Sequence, residues 1–167
     1  MNQYDVVVIG GGAAGLSAAL VLSRARRKVL VVDAGSPRNA PAAHMHGYLS
    51  RDGMPPAELL AAGRREVTGY GGDILDGTVT NLVAAGDGFT ALLAGGQRIS
   101  ARRVLVTTGL RDELPDIPGL RDQWARDVLC TARTVTATRS ATVGSASSVA
   151  HPAPAGTRRS CGNGQTT

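Results

Sequence analysis

Val6-Val7-Val8-Ile9-Gly10-Gly11-Gly12-Ala13-Ala14-Gly15 stands near the start of the chain, and its reading decides the fold. Four β-branched residues in a row are the composition of a strand buried on both faces in a parallel sheet. The glycines that follow fit G-x-G-x-x-G. In that pattern the first glycine makes a tight turn, the second lets a pyrophosphate approach the backbone, and the third lets a helix pack on the strand. Ala13 and Ala14 begin that helix, whose first N–H groups point at the phosphates. The helix is expected to run to about Arg26, with Leu16, Ala19, Leu20 and Ser23 on one face. Arg24, Arg26, Arg27 and Lys28 gather at its end, where cations complement the helix dipole. Val29-Leu30-Val31-Val32 then makes a second strand, closed by Asp33. That acid lies 18 residues after Gly15, close to the spacing of about 20 for a carboxylate that accepts hydrogen bonds from ribose hydroxyls. Strand, turn, helix, strand and acid in this order define a dinucleotide-binding unit. Glycines that served chain packing alone would leave Gly12 and Asp33 without a reason.

The 167 residues suffice for one domain with a real core. A net charge of +5 raises the question of a nucleic-acid partner, but the charge is unevenly placed. Residues 1–129 hold 14 basic and 13 acidic side chains, whereas residues 130–167 hold four arginines and no acid. With one Trp and one Phe, the aromatics that stack bases are lacking, so no nucleic-acid partner is expected. Cys130 and Cys161 are too far apart for a C-x-x-C redox pair and have no His or Cys neighbours for a metal site. No segment reaches the roughly 18 apolar residues that span a bilayer, and no basic leader precedes the first strand. The expectation is a cytoplasmic protein without a membrane partner.

After Asp33, residues 34–53 read as a loop leaving the C-terminal end of the second strand, where open α/β sheets bind ligands. Arg38 and Asn39 are candidates to reach a ribose or phosphate; a solvated arginine in a loop is the other reading. His44-Met45-His46 has no third metal ligand in view, so His46 and Gly47 are read as shaping the wall near the cofactor, with a plain surface histidine equally open. No catalytic residue and no metal ligand is assigned. Pro55-Pro56-Ala57-Glu58 starts a helix expected to reach about Tyr70. Strands are then expected over Ile74–Leu82, Phe89–Leu93 and Arg98–Val106, separated by glycine turns. The first is expected to join the sheet, with backbone near Val79 placed for an adenine ring, and the next two to pair as a small antiparallel excursion. Val104-Leu105-Val106 reads as another buried strand running into the small-residue turn Thr107-Thr108-Gly109.

Three features together resemble the FAD-dependent pyridine nucleotide–disulfide oxidoreductases, and among them the thioredoxin reductase-like flavoproteins. They are the glycine turn with Asp33, the Ser36-Pro37-Arg38-Asn39 loop, and Thr107-Thr108-Gly109 followed by Leu114-Pro115-Asp116-Ile117-Pro118-Gly119. The last resembles the family's "ATG" strand end and crossing to a second domain, with Thr107 in place of the usual alanine. The resemblance covers Met1 to about Leu129. It implies an α/β, Rossmann-like FAD-binding domain with a parallel sheet and a small antiparallel excursion, here incomplete. By that resemblance Gly10, Gly12, Gly15, Asp33, Arg38, Val79, Thr108 and Gly109 line an FAD site. It further implies, for an intact relative, NADPH as reductant, a C-x-x-C pair, a dithiol or disulfide partner, and a homodimer as one possible assembly. This sequence has neither a C-x-x-C nor a second glycine fingerprint, so the chain is expected to be inactive in that relay and to retain flavin weakly. An NAD(H)-binding Rossmann protein and a non-enzymatic nucleotide-binding module are the alternatives.

The stretch from Cys130 to Thr167 has no Leu, Ile, Phe or acid and is expected to be disordered. Back-translation of Thr131–Thr142 in a frame shifted by one base permits His-Cys-Pro-Tyr-Cys-His-Gly-Tyr-Glu-Val-Arg-Asp, which restores a C-x-x-C where the family resemblance wants one. A one-base shift near Leu129 is the expectation that follows.

Overall fold

The computed structural model of the chain describes residues 3–123. In chain order these form β1 (Gln3–Ile9), α1 (Ala13–Arg24), β2 (Val29–Asp33), α2 (Pro56–Gly69), β3 (Asp73–Asp76), β4 (Val79–Ala85), β5 (Gly88–Leu93), β6 (Arg98–Val106) and α3 (Leu120–Gln123). The tail expected to lack a core, with Cys130 and Cys161, lies outside the described residues.

Successive strand residues face opposite sides, and the apolar runs of β1 and β2 supply both. Val8, Val29 and Val31 join Leu16 and Ala19 of α1 and Val67 of α2 in one core layer. Val7, Leu30 and Val32 join Tyr4, Leu93, Ile99 and Ala101 in the other. Val7, Val8, Val29, Val31 and Val32 are therefore buried, as a two-sided sheet requires, while Val6 and Ile9 at the ends of the β1 run are half-buried. The helices meet closely, since a Cβ on Gly63 of α2 would stand 3.1 Å from the Leu16 side chain.

The strands form one sheet in the order β3-β2-β1-β6-β5-β4. β3, β2, β1 and β6 run parallel, with Val6–Ile9 in register with Val29–Val32 on one side and Arg103–Val106 on the other. β5 pairs antiparallel with both β6 and β4. The α/β, Rossmann-like architecture expected from the unit over residues 6–33 and from the family resemblance is the one observed.

Three expectations are corrected. α1 stops at Arg24, two residues early, because Arg26 turns to φ 60° and its N–H donates back to the Ser23 carbonyl. The single strand expected over Ile74–Leu82 is two strands, β3 and β4, broken at Gly77 and Thr78. The Gly77 N–H donates to the Asp33 carbonyl at 2.8 Å and the Ala94 N–H to the Thr78 carbonyl at 2.9 Å, which diverts the chain from β2 towards β5. The antiparallel excursion thus has three strands, and β6 belongs to it and to the parallel sheet. Finally, Val104–Val106 is not buried on both faces: Leu105 and Val106 are exposed. β5 pairs with β6 only as far as Ala101, so beyond it β6 has a neighbour on its β1 side alone among the described strands.

Ser23 sits inside the helix–sheet layer, 2% exposed, and its hydroxyl has no hydrogen-bond partner among the described residues. A buried hydroxyl without a partner keeps its desolvation cost. Ser23→Ala is expected to raise stability by about 1 kcal/mol, read as a higher denaturant midpoint with an unchanged slope.

Candidate functional site

The chain leaves β1 towards β2 on one side, while β6 flanks it on the other, so the C-terminal end of β1 is the point where strand order reverses. The glycine turn lies there. Its shape is imposed by Thr107, directly after β6: the Thr107 N–H donates to the Ile9 carbonyl at 2.8 Å. The Thr107 Oγ1 lies 3.0 Å from that carbonyl oxygen and 2.9 Å from that of Gly10, so its single proton serves both. A Cβ on Gly10, at φ 108°, would stand 2.5 Å from the Thr107 carbonyl oxygen, and one on Gly15 would overlap the Gly10 carbonyl. Gly12 differs: among the described residues, its chain neighbours apart, no atom lies within 4 Å of where its Cβ would be. It is the N-cap of α1 and supplies no side-chain cap, so the first helical N–H groups are left to a ligand or water. Ala13 and Ala14 are exposed on that first turn.

Asp33 closes the other side of the turn. Its Oδ1 accepts from the Gly11 N–H at 3.1 Å and the Gly35 N–H at 3.3 Å, and its Oδ2 accepts from Arg64 Nη2 at 2.7 Å. The same Nη2 donates to Asp76 Oδ1 at 2.8 Å. Burial alone pushes the Asp33 carboxyl up, but the Arg64 hydrogen bond, the two backbone N–H groups and the Arg64 charge outweigh it and hold it below the usual carboxylate range. The hydrogen bonds to Asp33 and then Asp76 likewise raise the Arg64 guanidinium above its ordinary value.

The other predicted residues lie at varied distances from this centre in the chain's own contacts. Arg38 makes a two-pronged pair with Asp112, Nε to Oδ2 and Nη2 to Oδ1, both 2.7 Å, which ties the loop after β2 to the segment after β6. His46 lies 3.5 Å from Asp52 in a loop closed on itself by Met45–Met54, Gly53–Met45 and Gly47–Asp52 hydrogen bonds. Val79 packs half-buried against the second core layer, two residues past the Gly77 N–H that reaches Asp33. Thr108 is exposed and Gly109 takes φ 69°, both just beyond Thr107. Arg64, Asp76 and Asp112 were not singled out from sequence. The signal for Arg64 and Asp76 was the parallel register, which sets Asp76 beside Asp33 and calls for a cation between them.

The profile of the family described as pyridine nucleotide-disulphide oxidoreductase matches residues 4–148. The chain belongs to this family. Within this family it is thioredoxin reductase-like. It is 35% identical to the thioredoxin reductase tcpT of Claviceps purpurea over 132 residues, which are 77% of this chain and 41% of that protein. Among solved structures it is 58% identical to HlmI, with a TM-score of 0.71 over 75% of this chain and 41% of that one. It is 44% identical to an oxidoreductase from Agrobacterium tumefaciens, also with a TM-score of 0.71, over 75% of this chain and 43% of that one. The chain spans about two fifths of the length of these relatives. FAD is the cofactor of the family. The open approach at Gly12, the uncapped start of α1 and the Asp33 carboxylate beside them fit the diphosphate and ribose of such a group.

Thr107→Val keeps the shape and removes the hydroxyl that serves two carbonyls, so stability is expected to fall by about 1 kcal/mol, measured by chemical denaturation. Because the Asp33 carboxyl is depressed in the folded state, its contribution to stability is complete above the unfolded value of about 3.9 and is lost as pH falls through the lower folded value. The unfolding free energy of Asp33→Asn is therefore expected to depend less steeply on pH below about 4 than that of the wild type, in denaturation curves taken across the acid range.

Proposed function

We propose that this chain is the FAD-binding part of a thioredoxin reductase-like, NAD(P)H-dependent dithiol/disulfide oxidoreductase, and that the 167 residues do not carry out the electron relay by themselves. The observation that carries the reading is the open front of Gly12 at the strand-order reversal, with the start of α1 on one side and Asp33 on the other. Gly12, Ala13, Ala14 and Gly15 hold the diphosphate through backbone N–H groups, while Gly10, whose own N–H donates to the Val32 carbonyl, gives the turn its shape. Asp33 accepts from a ribose hydroxyl. Val79 lies towards the adenine, while Arg38, His46, Thr108 and Gly109 border the rest of the site. The chemistry supplied by the bound group is two-electron transfer between a reduced nicotinamide and a disulfide. This chain's own residues bind and orient it. With Cys130 and Cys161 as its cysteines, the sequence offers no C-x-x-C to receive those electrons.

The test is a titration of the purified full chain with FAD, followed by flavin fluorescence, with NADH as competitor. The chain is expected to emerge without stoichiometric flavin, to bind added FAD weakly but saturably, and to lose that binding in Gly12→Asp, which fills the open approach and adds a negative charge. Tighter binding of NADH than of FAD would favour a plain NAD(H)-binding Rossmann protein, and stoichiometric yellow flavin on purification would overturn weak retention.

A further inference from the structure

Two acids end neighbouring parallel strands. Asp33 on β2 and Asp76 on β3 are register partners, and like charges placed side by side on adjacent strands repel. The crossover between these strands is α2, and Arg64 projects from it with one nitrogen, Nη2, 2.7 Å from Asp33 Oδ2 and 2.8 Å from Asp76 Oδ1. The Asp33 side chain is 19% exposed and that of Asp76 77%, so the pair nearer the glycine turn is the less screened. On its far side Asp33 grips Gly11 and Gly35 by their N–H groups. A continuous line of contacts thus runs from Asp76 through Arg64 and Asp33 into the glycine turn. A carboxylate offers about four acceptor positions; the three hydrogen bonds described leave one, on Oδ2.

We propose that Arg64 is the positioning residue of the ribose site: held between Asp33 and Asp76, it fixes the Asp33 carboxylate on the glycine turn and leaves one Oδ2 acceptor for an unphosphorylated adenosine ribose. The inference rests on the nucleotide reading of the site. An arginine near the end of the second strand of a dinucleotide fold can instead accommodate a 2′-phosphate. Here the nitrogen nearest the acid is already shared by two carboxylates, and Asp33 itself opposes a further anion. The charged groups facing Asp33 are Arg64 from α2 and Asp76 from β3, with the Gly11 and Gly35 N–H dipoles completing its surroundings.

The experiment uses the full chain as wild type, Arg64→Met, Asp76→Asn and the double variant. The first readout needs no ligand: the titration of the Asp33 carboxyl by carbon NMR. Arg64→Met is expected to move that titration to higher pH, and Asp76→Asn added to it to move it part of the way back. The second readout is FAD affinity, with NAD and its 2′-phosphorylated counterpart NADP as competitors. Arg64→Met is expected to weaken FAD binding about tenfold, the loss of one charged hydrogen bond, with a larger deficit as pH falls, and the double variant to recover most of it. A purely structural brace would lower the thermal midpoint without this pH dependence or this rescue.

An Arg64→Met that folds, with unchanged Asp33 titration and unchanged FAD affinity, overturns the proposal, as does NADP competing more strongly than NAD against the wild type. Should Arg64→Met fail to fold, Asp76→Asn decides alone, since it alters an exposed side chain. It is expected to lower the Asp33 titration, and an unmoved titration overturns the coupling. Wild-type chain that binds no FAD defeats the nucleotide reading itself, a result distinct from an unmoved Asp33.

Discussion

The segments that meet at Gly10 leave no room for a side chain there, and the site is arranged around that crowding. The Thr107 carbonyl bears on Gly10, and the Gly10 carbonyl in turn bears on Gly15. Hydrogen at both positions lets β6, β1 and the first turn of α1 come together. Larger side chains would push α1 away from the sheet or β6 away from β1. The Thr107 hydroxyl uses the space so made, hydrogen-bonding across the turn. Gly12 is then left facing open space, with the start of the helix aimed outward. Tightness at the first and third glycines is what produces access at the second.

The ion pairs around this turn are not equivalent. Arg38 and Asp112 have excellent two-pronged geometry, but the Arg38 side chain is 47% exposed, and such pairs contribute up to about 1 kcal/mol. Their value is in linking the segments that leave β2 and β6, the two strands on either side of β1. The Arg64–Asp33 pair is backed by backbone N–H donors to the same carboxylate, and together they hold Asp33 below the usual carboxylate range. One pair ties the loop after β2 to the segment after β6, and the other helps hold its acid below the usual carboxylate range.

The β-α-β unit was legible because every element of it answers a local demand. β-branched runs, glycine spacing and a terminal acid each have one structural use, and α2 declared itself through Pro55, Pro56 and Glu58. What the sequence hid was non-local. Gly77 reads as an ordinary strand residue until its N–H is seen on the Asp33 carbonyl, which splits one expected strand into two. Val104–Val106 has the composition of a core strand, yet burial depends on whether β5 reaches that far, and it does not. In the site, glycines and Asp33 carry a spacing rule, whereas Arg64 and Asp76 become partners only through the register of β2 and β3. In the sequence Thr107 is a departure from the family's pattern, while its hydrogen bonds to the turn depend on β6 lying against β1.

The hydrogen bond from Thr107 to Gly10 spans 97 residues of chain. β1, α1 and β2 can find one another by local contacts as soon as the first third of the chain exists, but the glycine turn waits for the strand that closes it. Loop-closure entropy makes so distant a pairing a late and slow event. The glycine turn therefore precedes β6 by most of this unit's length and takes its final shape only once β6 is in place. The front of Gly12 is thus completed by the last described strand of the sheet and not by the β-α-β unit alone.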